Sequence, residues 1–266
     1  MDKSVKWATK PGNPGVFMSE DQNRQQNQGQ GGREPAILLP GVVLGLLGAM
    51  LAVHLARAFV LNESGDQMLL YWFGFIPLRA LQPEQFYGGW IPLLWTPVTH
   101  AFLHAGWEHL LINCAWLAIF GTPVARRYGA IPTLILFGAS AVAGAVFFAA
   151  TTLPAFQFLV GASGGIAGLT GAACRFIFEP VLVARDPETG EARVLGRRMA
   201  RLADLARNQR AAFFIAIWLI LNAAVPFLPS LIGQSIGIAW QAHLGGFLAG
   251  LFLTPLFERR PKENVS

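Results

Sequence analysis

Charge is scarce in this sequence. Lys, Arg, Asp and Glu make up 13% of its 266 residues, against about 25% in an ordinary soluble domain. Hydrophobic residues make up 53% and the mean hydropathy is +0.45. That deficit excludes a soluble protein of usual surface and points to a membrane. Cysteine is nearly absent too. Cys114 and Cys174 both fall inside apolar runs, where a thiol acts as a small hydrophobe. Neither a disulfide framework nor a zinc site is supported. The net charge of +5 does not imply nucleic acid, because the charges sit between apolar runs. Segment 1–35 lacks apolar periodicity, and 21–32 (DQNRQQNQGQGG) is polar and of low complexity. It reads as a disordered tail. No basic stretch leads directly into a short apolar core with a cleavage site, so a removable signal peptide is not expected. Asp2, Glu20 and Asp21 speak against an organelle transit peptide.

Long apolar runs are what the chain does have. A spanning helix needs about 20 apolar residues, and six stretches approach that: 36–56, 102–121, 130–151, 163–178, 211–227 and 236–257. Each must be helical, because a lone span in lipid has to satisfy its backbone internally. Lys and Arg set the orientation. With the N-terminus in the cytoplasm, only Arg57 and Arg79 of the 20 basic residues fall outside. The expected fold is therefore an all-α polytopic membrane protein, a six-helix bundle with both termini cytoplasmic.

Two connectors stand out. Residues 61–101 are rich in aromatics but broken by Pro77, Pro83, Pro92 and Pro97, which interrupt helices. This predicts a loop lying partly in the outer leaflet. Residues 179–210 are charged, with an Asp186-Pro187 turn signal and an expected short basic helix near 196–208. That segment reads as a cytoplasmic connector, with a regulatory or lipid-binding role as the alternative.

The fourth stretch, from Ser163, is short. As a helix it covers about 24 Å of a hydrocarbon core about 30 Å thick, so its outer end should stop below the surface. His243 lies about 10 Å deep in the sixth. A serine hydroxyl needs an adjacent base to become a nucleophile, and histidine serves best near neutral pH. Gly164 and Gly168 in one stretch, with Gly246 and Gly250 in the other, form small-xxx-small faces that permit close approach. Gly161 and Gly165 keep bulk from the hydroxyl. No Asp or Glu is placed as a third member, so a Ser163–His243 pair is expected. His109 and Asn113 are four apart, on one helical face, and with the Ser163 backbone N–H could stabilise an oxyanion. His104 is expected to hold the first loop against the second span. His100 reads as interfacial.

Taken singly, these residues have plainer readings. Ser163 could be a helix cap, His243 a cross-helix hydrogen-bonding group, and His109 with Asn113 polar glue between spans. A metal site at His100, His104 and His109 lacks a matching carboxylate, and Glu108 forms no HExxH motif. A transporter or channel would need polar residues along a through-path, whereas these gather on one side.

Together, GASGG at 161–165, AHLGG at 242–246 and HAGWEHLLIN at 104–113 resemble the rhomboid intramembrane serine proteases, in the family's order and on the corresponding spans. The resemblance covers about residues 36–257. It implies cleavage of membrane-anchored proteins in or near a transmembrane helix, with transmembrane substrates and the lipid bilayer as partners and neither nucleic acid, metal nor cofactor. It makes 36–257 the membrane protease domain, 1–35 and 258–266 cytoplasmic tails, and the site open to the outer, periplasmic face of a bacterial inner membrane. Two departures stand out. The family's Trp-Arg pair in the first loop is Trp95-Thr96 here, so that loop needs another anchor. The aromatic that often follows the serine by four residues is Ala167, so His243 must be oriented from elsewhere, with Trp240 the candidate. A rhomboid-like protein that binds transmembrane helices without cutting them is the alternative function.

Overall fold

The computed structural model describes residues 39–185, 192–224 and 239–258. The tail at 1–35, the Asp186-Pro187 turn, the residues joining the fifth and sixth apolar stretches, and most of 258–266 lie outside the described residues.

Helix α1 (Gly41–Phe59) starts five residues later than its apolar run, behind Pro40 at its N-cap. A proline disfavours helical geometry in the residue before it. Helix α2 (Glu63–Phe73) follows, capped by the Asn62 side chain, which accepts from the Gly65 amide at 2.9 Å. The chain then runs through short 3-10 turns at Pro77–Ala80, Pro83–Gln85 and Ile91–Leu94, each with proline in its first two positions. The prolines break this aromatic segment as expected.

A loop of this kind in an apolar setting must find partners for its carbonyls. Arg79 supplies them. Its side chain is fully buried and donates to the carbonyls of Tyr87 (2.7 Å), Gly89 (3.0 Å) and Tyr71. Arg57 fastens the loop to α1, pairing with Asp66 at 2.6 Å and donating to the His104 carbonyl at 2.7 Å. Trp95 donates its indole N–H to the Trp72 carbonyl at 2.7 Å. Thr96 is buried beside it, and the guanidinium that position 96 lacks is provided from elsewhere in the chain.

The second apolar stretch forms one rod of three parts: α3 (Trp107–Trp116), a π turn (Leu117–Gly121) and α4 (Thr122–Tyr128). It begins later than residue 102, because Phe102 sits in a separate 3-10 turn. It runs past residue 121 and stops at Gly129, whose φ of 85° only glycine adopts freely. Helix α5 is Ala130–Thr152 and α6 is Ser163–Cys174. Helices α1 and α5 are long and apolar enough to cross a bilayer.

The connector after α6 departs from the all-α expectation. Residues Val181–Arg185 (β1) and Ala192–Arg197 (β2) pair as a two-stranded antiparallel ribbon. The β-branched and apolar residues of Val181-Leu182-Val183 and Val194-Leu195 suit strands, and the residues that join them lie outside the described ones. The basic helix expected near 196–208 is the shorter α7 (Leu202–Arg207). Helix α8 (Gln209–Ala224) leads to the gap in the described residues, and α9 (Trp240–Leu253) follows it.

Helix α6 is the centre. Every residue from Gly164 to Cys174 is buried, surrounded by α5, α9 and the π turn. The α6–α9 seam is backbone against backbone. A Cβ added at Gly250 would overlap the Gly168 carbonyl oxygen, and one at Gly246 would overlap that of Gly164. Below the seam, Arg175 donates to the Ala200 carbonyl at 2.9 Å and the Leu251 carbonyl at 2.8 Å. One buried guanidinium thus ties together the ends of α6, α9 and the ribbon connector.

Candidate active site

Ser163 is the first residue of α6, and the segment before it is held from two sides. Phe75 and Leu159 exchange backbone hydrogen bonds at 3.1 and 2.9 Å, and the Gly161 amide donates to the His100 carbonyl at 2.9 Å. His100, read from the sequence as interfacial, is buried and its Nδ1 lies 2.9 Å from the Thr96 carbonyl. The first loop therefore fixes the backbone that delivers Ser163.

Gly161 has a φ of 119°, a conformation open to glycine and costly for other residues. Space forbids a side chain there as well. A Cβ would stand 2.7 Å from both Nε2 and Cε1 of His109, and 3.8 Å from Ser163 Oγ. The imidazole of His109 and the hydroxyl of Ser163 thus flank the same bare α-carbon. The His109 Nδ1 accepts from the Ala105 amide at 3.5 Å, which leaves Nε2 as the nitrogen that carries the hydrogen. Asn113 is buried one turn along α3 and donates one N–H to the His109 carbonyl at 3.0 Å. Its amide has a second N–H to give.

His104 packs edge-on against His109, with ring centroids 5.1 Å apart. Its contribution to the loop runs through the backbone carbonyl that receives Arg57. Neither ring nitrogen of His104 has a hydrogen-bond partner among the described residues.

His243 stands on the first turn of α9. Gly164 lies against Ala242, with a 3.4 Å separation between the added Cβ and the Ala242 carbonyl oxygen. The residues next to them in sequence, Ser163 and His243, therefore occupy neighbouring turns of two touching helices. The Nδ1 of His243 meets Oδ1 of Asn222, on α8, at 2.5 Å. Trp240 is not the partner.

Asn222 escaped the sequence reading. Its signal was present: it is the polar side chain in an otherwise apolar run, 211–224, and polar groups within spans are functional candidates by default. Ala167 packs with Trp218 and Phe247, which stack at 4.5 Å between centroids. Trp218 is one turn before Asn222, so the aromatic missing from α6 has a counterpart on α8.

Residues 92–260, well over half the chain, match the family model of the rhomboid domain. The chain is similar to the RHOMBOID-like protein 5 of Arabidopsis thaliana, at 26% identity over 63% of this chain and 45% of that one. It is similar to the rhomboid protease GlpG of Serratia proteamaculans, at 26% identity over 80% and 61%. Rhomboid-related protein 3 of Homo sapiens is 29% identical over 65% and 38%. The chain thus spans less than two thirds of the length of each of these relatives. A domain match over this extent, on a helical chain with two bilayer-length apolar helices, shows that the chain belongs to the membrane-embedded rhomboid family.

Proposed function

We propose that this chain is an intramembrane serine endopeptidase that cleaves membrane-anchored proteins in or near a transmembrane helix. The observation that carries this reading is the double contact at Gly161, which sets the His109 imidazole and the Ser163 hydroxyl on either side of one α-carbon. Polar glue between helices would bond those side chains to each other, and among the described residues no hydrogen bond joins them.

In the proposed reaction Ser163 Oγ attacks the scissile carbonyl carbon while His243 Nε2 takes the hydroxyl proton. The charge that develops on the carbonyl oxygen is met by the Ser163 amide, His109 Nε2–H and the second N–H of Asn113. Collapse breaks the C–N bond, and His243 returns the proton to the leaving amine. Water then hydrolyses the acyl-enzyme, with His243 as base and Ser163 regenerated. No third carboxylate enters the scheme.

The same proposal includes six spans with both termini cytoplasmic, in a bacterial inner membrane. It takes 36–257 as the protease domain and has the site open to the periplasmic side. The distribution of basic residues supports it.

The test is a fluorophosphonate probe on protein reconstituted in liposomes. The expected result is one adduct, mapped by mass spectrometry to Ser163, with cleavage of a single-span substrate lost in step. Absence of both, in a protein that still captures transmembrane helices, would establish the non-cutting alternative.

Gly161→Ala tests the oxyanion assignment. The methyl must displace the His109 ring, so kcat should fall roughly 10²-fold or more, the usual cost of one lost oxyanion donor. Cleavage kinetics on the single-span substrate would check it. A variant of unchanged kcat would remove His109 from the oxyanion site.

A further inference from the structure

The proposed mechanism requires His243 to present a lone pair at Nε2, yet nothing in that scheme says what keeps it there. A neutral imidazole has two tautomers, and only the one protonated at Nδ1 is a base at Nε2. We infer that Asn222 is the positioning residue that selects this tautomer and aims the ring. The inference rests on the protease reading for its consequence but on hydrogen-bond geometry for its content.

Two bonds fix it. Asn222 Nδ2 donates to the Trp218 carbonyl at 2.8 Å, one turn back on α8. A carbonyl oxygen can only accept, so the amide nitrogen must face Trp218 and the amide oxygen must face away. That oxygen is the atom 2.5 Å from His243 Nδ1. An amide oxygen also only accepts, so Nδ1 carries the hydrogen and Nε2 is left bare. The amide has no rotational freedom to offer the opposite pattern without losing the Trp218 bond. Ala167 brings no ring from α6 to hold the imidazole, and the hydrogen bond from α8 supplies the constraint instead.

The chemistry of an amide sets a further expectation. Asn222 orients the imidazole but, being neutral, does not stabilise the imidazolium that forms when Ser163 gives up its proton. A carboxylate in its place would do both. It would favour the charged ring, and a base that is protonated more readily is available only at higher pH.

The test uses the full chain in liposomes with a single-span substrate. Asn222→Ala should lower kcat about 10- to 100-fold with KM changed less than about twofold, since the substrate does not touch the amide. Asn222→Asp should restore kcat toward wild type and move the acid limb of the pH–rate profile up by about one unit or more. A purely structural role would leave that limb in place. The positioning role is overturned by an Asn222→Ala variant with wild-type kcat, or by an Asn222→Asp profile that superimposes on wild type.

Nitrogen-15 spectra of histidine-labelled protein read the tautomer directly and need no turnover. A protonated Nδ1 on His243 in wild type, lost in Asn222→Ala, supports the assignment; an unprotonated Nδ1 in wild type overturns it. If wild type neither cleaves nor labels at Ser163 while Nδ1 is protonated, the protease reading falls and the tautomer assignment stands.

Discussion

Ser163→Ala and His243→Ala should each lower kcat by roughly 10⁴- to 10⁶-fold in liposomes, and the double variant should be no slower than the worse single one. Serine and histidine act as a unit in this chemistry: without the base the hydroxyl is not deprotonated, and without the hydroxyl the base has nothing to activate. The residual rate would come from the donors around Gly161 and from substrate binding. Single-turnover assays of the two single variants and the double variant would show it. Additive losses would mean that Ser163 and His243 serve separate steps, and a His243→Ala variant near wild type would require a different base. Neither residue supports the close helix contact, which runs through Gly164, Gly246 and Gly250, so Ser163→Ala should keep its unfolding midpoint, while the two variants that lack His243 leave Asn222 Oδ1 unpaired and should unfold somewhat lower.

Gly250→Ala carries the largest expected effect on stability. Alanine in a helix interior is intrinsically about 1 kcal/mol better than glycine, so an unhindered site gains from the change. At Gly250 the new methyl would fall on the Gly168 carbonyl oxygen, a backbone atom that cannot swing aside. The α6–α9 seam must open, at a cost of about 3 kcal/mol or more when the overpacking meets main chain. Gly138 on α5, where an added Cβ has nothing within 4 Å, is the control. Gly138→Ala should unfold at or above the wild-type midpoint in mild detergent, and Gly250→Ala well below it. Equal midpoints would show that α9 can shift along α6 without loss, and that the seam does not fix where His243 sits.

What was legible in the sequence is placement that is fixed locally. Ser163 behind Gly161, and His109 four residues before Asn113, announce themselves by spacing, since an i,i+4 pair shares a helical face whatever surrounds it. The prolines of the first loop likewise end helices from within their own stretch. What stayed hidden depends on partners far along the chain. Arg79 gave no hint in sequence that its three carbonyl acceptors would come from residues 71, 87 and 89. Asn222 meets His243 across 21 residues. The ribbon at 181–197 was obscured differently. Its charged residues suggested a solvated connector, while the pattern that marks strands was confined to the few residues of each one. Helix ends moved by several positions where a cap, Pro40 or Gly129, outweighed the apolar run.

The π turn at Leu117–Gly121 has a consequence for how the rod carrying His109 is aimed. A π turn closes its hydrogen bonds one residue further on than an α-helix does, so it takes in one extra residue while the two halves of the rod keep nearly the phase of a continuous helix. Its lower half is clamped by Glu258, which accepts from Tyr128 at 2.9 Å and pairs with Arg127 at 2.5 Å. The azimuth of His109 and Asn113 is therefore inherited, through the turn, from how that lower end is moored. Removing one residue within the turn should therefore leave a regular α-helix with both side chains still facing Gly161.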